Sequence, residues 1–349
     1  MHARIQRLQA SLLQPDPHHG RPRGSVSRLD GLEALRGICA LIVLSGHAAT
    51  LTGTASLFIR MHLAVDLFFM LSGYVMARSY EAKLDAGLPT SAFLIARIRR
   101  LWPTMALGVM LGATLVASWE RPSETLLLLL LCNLLFIPAT GGVGHVFPLL
   151  AVTWSIYFEL FANIVHAVIL RRLGVPAPGV IVFVSGPTLV LFQRTANRGG
   201  MGGDFVLGFP RVIFAYGTGV ILWRVLRDRA VLEFWPALVT LPGFMIYSHF
   251  HLDGVAVDAI FVFALAPLCM VCGLGAAPFG PTFRALGALS FPLYAVHGPI
   301  LVFMAVRGFG MLASIAIALV AAVLAMQIIA RLSRPAGPRL SHGRLARRA

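Results

Sequence analysis

The sequence predicts an all-α, polytopic membrane bundle of about ten (ten to eleven) transmembrane helices, and three observations carry that prediction. Hydrophobic residues make up 58% of the chain and charged residues only 12%, with a mean hydropathy of +0.81. Long apolar runs recur from end to end, and in lipid only helices or closed barrels satisfy their own backbone. Strand-period alternation is missing, which sets a barrel aside.

Candidate spans fall at 36–54, 61–79, 101–118, 125–137, 147–170, 179–193, 206–224, 234–249, 255–273, 286–305 and 308–330. The run at 125–137 is the weakest, with about thirteen apolar residues where ~20 are usual. Residues 1–30 read as a disordered basic tail, 31–330 as one integral membrane domain and 331–349 as a second basic tail. No cleavable signal peptide is convincing, because the first apolar run is itself a full span.

The net charge of +15 sits mainly in the tails and short loops. Beside apolar spans such charge sets topology and touches anionic lipid, so no nucleic-acid partner is expected. Arg78, Lys83, Arg97, Arg99 and Arg100 mark one cytoplasmic loop. Arg171 and Arg172, then Arg224, Arg227 and Arg229, then the C-terminal tail agree with it only if 125–137 does not fully cross. That arrangement leaves ten crossings in a cell (inner) membrane, with both termini cytoplasmic.

Cys39, Cys132, Cys269 and Cys272 lie inside apolar segments. The C-x-x-C lacks a second ligand pair, and free cysteine is a common buried hydrophobe. Trp102, Trp154, Trp223 and Trp235 read as interfacial anchors. His18 and His19 in the tail are a weak metal signal, and His249, His251 and Asp253 in SHFHLDG lack the spacing of a known metal site, so no metal is expected.

Ionisable residues inside spans are costly and by default mark function. Arg36 and His47 are eleven residues apart, which puts them on one helix face about 16 Å apart along the axis. With Arg36 at an interface, His47 lies near mid-membrane. Asp66, ~8 Å into the next span from the opposite side, lies at a similar depth. Arg97 and Arg100 share a face at the mouth of the following span and suit phosphate. Ser155, Glu159, Asn163 and His166 form a polar stripe on an apolar helix. Ser290, Tyr294 and His297 form another, in a helix interrupted by Pro292, Gly298 and Pro299.

Five segments then resemble a known family. LDGLEALRGICALIVLSGH is similar to the opening signature of the membrane-bound acyltransferases of type 3, whose usual form is close to LDGLRAIAALLVVLGH. VDLFFMLSGYVMARSY resembles their VDLFFVLSGFLI element, and RIRRLWP their basic run before an aromatic-Pro pair. TWSIYFELFANI resembles WSLSVEEQFYLL, and LSFPLYAVHGPI resembles SYPLYLxHxP. The matches keep the family's order from Leu29 to about Pro299. Two departures are Leu160, where a second acidic residue is common, and Glu33, at an often basic position.

The resemblance implies an O-acyltransferase (EC 2.3.1.-) that moves an acyl group, most often acetyl, to sugar hydroxyls. It places Arg36 and His47 on the family's arginine–histidine pair and Arg97 and Arg100 on its R-x-x-R. Chemistry suggests His47 as base, oriented by Asp66 or Glu159, with a transient acyl-histidine as the alternative. Arg36, Arg97 and Arg100 would hold acyl-CoA, with acetyl-CoA the expected donor. Tyr294 and His297 would meet the substrate. The expected partners are a carbohydrate or other hydroxyl acceptor, membrane lipid and, as an open alternative, a second copy of the chain in a homo-oligomer. The rival reading is a proton-coupled transporter or flippase using His47, Asp66, Glu159 and His297 as a relay.

Overall fold

The computed structural model describes residues 27–58, 60–119, 123–140, 144–174, 179–182, 185–186, 200–251 and 255–333. Most of the N-terminal tail with His18 and His19, most of the 179–193 span, Asp253 and the chain beyond 333 lie outside the described residues, as does the His251 side chain.

Helix α1 (Ser27–Thr52) begins well before the expected span at 36. The charges that depress hydropathy there are compensated by ion pairs. Arg284 reaches Asp30 at 2.6 Å, and Arg36 lies 3.0 Å from Glu33 one turn away. Helix α2 (His62–Asp85) follows, then α3 (Thr90–Trp119), whose 30 residues rise ~45 Å. Helix α4 (Glu124–Leu134) starts at a Ser123 cap that accepts from Leu126 N–H at 3.2 Å. Its 11 residues span only ~16 Å against a hydrocarbon core of ~30 Å. The helix is thus shorter than a full crossing needs.

Next come α5 (Thr153–Val168), α6 (Gly208–Leu226) and α7 (Trp235–His251). Helix α8 (Val255–Ile260) continues through a π-helical turn, Phe261–Leu265, into α9 (Ala266–Cys272). Helices α10 (Gly280–Val306) and α11 (Met311–Leu332) close the chain. Among the described residues there is no strand, only an isolated bridge between His145 and Met201.

Among the described residues, six helical segments are long and apolar enough to cross a membrane: α1, α3, α10, α11, α5 with the turn that follows it (Thr153–Arg172) and α6 with the turn that precedes it (Phe205–Leu226). This is fewer than the ten crossings expected. Helix α2 has 24 residues but carries Asp66, Arg78, Glu81 and Lys83. The shorter apolar helices are α4 and the segment through α8 and α9.

Helix α1 packs most heavily on α10, and α2 on α6. Helix α11 turns Ser314, Ala318, Ala322 and Ala325 inward and leaves Leu312, Val320 and Leu324 exposed, as a lipid-facing helix should. The cysteines are free, with Cys39, Cys269 and Cys272 buried. Trp154 is also buried, its ring under the Arg211 guanidinium at 5.5 Å, so it is a packing residue rather than the interfacial anchor expected.

The α2–α6 seam depends on glycine. A Cβ at Gly73 would collide with the Tyr216 carbonyl, and one at Gly219 with the Met70 carbonyl. Small residues let membrane helices approach this closely. Gly73→Ala should therefore lower the yield of monodisperse protein in detergent and its melting temperature. Gly243→Ala, whose Cβ meets open space, should be tolerated.

Candidate active site

Five helices wall one cavity of ≈150 Å³. Helix α1 contributes Arg36, α3 Arg97 and Arg100, α5 Ser155 and Glu159, and α10 Ser290 and Tyr294. The α2 wall runs from Val65 to Met76 and includes Phe68, Phe69 and Ser72. Those eleven steps rise ~16 Å, the same rise that separates Arg36 from His47 on α1. The cavity is thus elongated, with its cations at one end and mostly apolar sides.

The charges differ in how far they are committed. Arg97 Nη2 meets Glu159 Oε1 at 2.7 Å, and Ser72 Oγ donates to the same oxygen at 2.7 Å. Among the described residues Arg97 Nε is buried without a partner. Arg36 donates to Glu33 and, at 3.3 Å, to Ser290 Oγ. Arg100 lines the cavity from an exposed position; among the described residues it has no carboxylate partner. Arg36, Arg97 and Arg100 outnumber the carboxylates of Glu33 and Glu159 by one, and a positive excess beside a largely apolar cavity attracts anions.

Beyond Tyr294 lie the two histidines. His47 Nδ1 and His297 Nε2 are 2.8 Å apart. His297 Nδ1 is 3.0 Å from the carbonyls of Leu293 and Tyr294. Ser155 donates to Val152 O at 3.0 Å, so the Tyr294 hydroxyl donates to Ser155 Oγ at 2.8 Å. The Tyr294 and His297 rings are 5.9 Å apart. Tyr294 therefore links the cavity to the histidine pair.

Asp66 and Glu159 are not the partners of His47 that the sequence suggested. Asp66 accepts from Arg211 at 2.7 and 3.0 Å, both side chains being 1–2% exposed. Glu159 belongs to Arg97. Helix α2 offers Asp66 to α6, and the ring facing His47 comes from α10. The lower half of the α5 stripe is likewise interhelical bonding. Asn163 accepts from Tyr216 O–H at 3.0 Å, and His166 bridges Tyr216 and Glu81. Burial pushes the Glu81 carboxyl up, but hydrogen bonds from His166 and Arg224 outweigh it and hold its pKa below the ordinary carboxylate value.

A family model described as an acyltransferase domain matches residues 29–331. The chain belongs to the type 3 acyltransferase family. It is 35% identical over 153 residues to "Protein 2 in picA locus" of Rhizobium radiobacter, covering 39% of this chain and 79% of that protein. It is 28% identical over 192 residues to "Exopolysaccharide production protein ExoZ" of Rhizobium meliloti (strain 1021), covering 54% of this chain and 55% of that one. No solved structure matches. Family and helices together make this a multi-pass membrane acyltransferase, and the family decides between the enzyme and transporter readings.

The acyltransferase gathers Arg36, Arg97, Arg100, Glu159 and Tyr294 on one cavity and sets His297 against His47. Two participants lie outside the residues the sequence singles out. Arg211 carries a signal, being an arginine just inside an apolar span, GFPRVIF. Ser72 carries none, since lone serines are common in membrane helices. Among the described residues no group of three or more His, Cys, Asp or Glu side chains converges on a metal position.

Proposed function

We propose that this acyltransferase moves an acetyl group from acetyl-CoA to a hydroxyl of an exported polysaccharide. The observation that carries the reading is the convergence of Arg36, Arg97 and Arg100 on one elongated cavity that leads through Tyr294 to His47. At ≈150 Å³ the cavity is smaller than the ~300–1,000 Å³ of a whole-ligand pocket. It suits the narrow pantetheine arm and a short acyl group, with the nucleotide phosphates left at the arginine mouth. Arginine is suited to phosphate because its planar fork binds two oxygens at once.

In this reading the Arg97–Arg100 mouth faces the cytoplasm, as the positive-inside rule requires. Both termini are then cytoplasmic, and the membrane is the inner one. The acceptor reaches His47 from the other side. The polysaccharide class is supported by the printed name of the Rhizobium meliloti relative.

The test is coenzyme A release by membranes given acetyl-CoA and a panel of de-O-acetylated exopolysaccharides. Polysaccharide-dependent release of CoA is expected, and a panel that never accelerates it would sink the acceptor class. For the donor site, Arg100→Gln should raise KM for acetyl-CoA roughly 10- to 100-fold, as loss of a charge-assisted bond of ~1.5–3 kcal/mol implies. Acetyl-pantetheine, which lacks the nucleotide phosphates, should be used equally by both proteins. Equal KM values for acetyl-CoA would remove Arg100 from the donor site.

A further inference from the structure

We infer that His297 is a positioning residue that fixes the tautomer of His47 and so leaves His47 Nε2, not Nδ1, as the basic nitrogen. The inference deepens the acyl-transfer reading above and rests on it for its kinetic consequence, though not for its geometry.

The argument starts from the main chain. Carbonyl oxygens only accept, so His297 Nδ1, 3.0 Å from the carbonyls of Leu293 and Tyr294, must carry a hydrogen. In a neutral imidazole the other nitrogen then holds the lone pair. That nitrogen, Nε2, faces His47 Nδ1 at 2.8 Å, so the hydrogen between the two rings belongs to His47. A neutral His47 is left with its lone pair on Nε2.

The ring geometry agrees. The two rings are inclined by only 16° and their centroids are 5.1 Å apart. That separation is the N···N distance extended by the radii of two five-membered rings. The rings therefore meet edge to edge in nearly one plane, as an N–H···N bond needs, and not face to face. His297 is 1% exposed, so water does not compete for its lone pair. Main-chain carbonyls and a neutral ring thus do the orienting that a buried carboxylate does in a serine-hydrolase triad.

The proton account closes. The acceptor hydroxyl gives its proton to His47 Nε2 as its oxygen attacks the thioester carbonyl. The C–S bond breaks, the acetyl group passes to oxygen, and the CoA thiolate takes the proton back from Nε2. Throughout, His47 Nδ1–H stays donated to His297, which holds the imidazolium in place between the two transfers. Without His297 the ring can place its hydrogen on Nε2, and a nitrogen that already bears hydrogen accepts none.

The test uses the full chain in nanodiscs with ¹⁵N-labelled histidine, the His47 signals being assigned by difference against His47→Gln. At pH 8 the wild type should show His47 protonated on Nδ1, and His297→Ala should move the hydrogen to Nε2. With acetyl-CoA and a de-O-acetylated exopolysaccharide, His297→Ala should lower kcat by roughly 10²- to 10⁴-fold with KM for acetyl-CoA unchanged. His297→Gln, whose amide oxygen accepts from His47 Nδ1–H, should recover at least a tenfold part of that loss. A wild-type His47 bearing its hydrogen on Nε2 would overturn the inference. So would a His297→Ala enzyme with normal kcat, or one impaired in KM alone. The tautomer readout needs no turnover, so absence of acetyl transfer by the wild type would count against the acyl-transfer reading alone.

Discussion

His47→Ala should lose acetyl transfer by roughly 10²- to 10⁴-fold while the protein remains folded, the range that positioned acid–base groups contribute. At about 1.36 kcal/mol per decade, that is roughly 3–5 kcal/mol of transition-state stabilisation. Folding should survive because, among the described residues, His47 bonds only to His297, and removing both rings leaves no charge stranded. The decisive experiment pairs His47→Ala with His47→Ala/His297→Ala. Residues that act as one unit are strongly non-additive, so the second substitution should cost nothing further once His47 is gone. Full additivity in kcat would mean that the two histidines work separately, for instance with His297 on the acceptor. Turnover by His47→Ala at the wild-type rate would remove the base altogether.

The reach of the sequence follows from what periodicity encodes. Spacing gives the direction of a side chain around its own helix, so Arg97 with Arg100, Ser155 with Glu159, and Ser290 with Tyr294 were legible as shared faces, and each pair lines the cavity. Spacing does not say which helix lies opposite. His47 and Asp66 were matched by depth, yet α2 turns Asp66 to α6 and the neighbour of His47 comes from α10. The sequence offers His297 as a substrate contact because nothing in one dimension joins α1 to α10. Helix α1 starts earlier than hydropathy indicates for another reason. Hydropathy falls at charged residues, whereas a helix continues through them when Asp30 and Arg284, or Glu33 and Arg36, compensate one another.

The second large effect concerns Asp66, which the sequence placed among the catalytic groups and the structure places in a buried ion pair. Arg211→Met should abolish the folded protein or lower its stability by about 3–5 kcal/mol, since it strands a buried carboxylate without its partner. Arg211 is tied on several sides: Nε and Nη2 donate to Asp66, Nη2 also donates to His62 O at 2.9 Å, and the Trp154 ring lies beneath the guanidinium. Replacing the pair together, Asp66→Leu with Arg211→Met, removes both charges, and such exchanges are neutral or stabilising by ~1–4 kcal/mol in other proteins. Melting in detergent and acetyl-CoA turnover, measured on the same preparations, separate the two roles. If Asp66 acts only through Arg211, the double variant melts near the wild type and keeps at least about a tenth of its turnover, a loss under 1.4 kcal/mol. If Asp66 takes part in proton transfer, the double variant is folded and inactive. The first outcome is expected, because both oxygens of Asp66 already accept from Arg211 and neither meets His47.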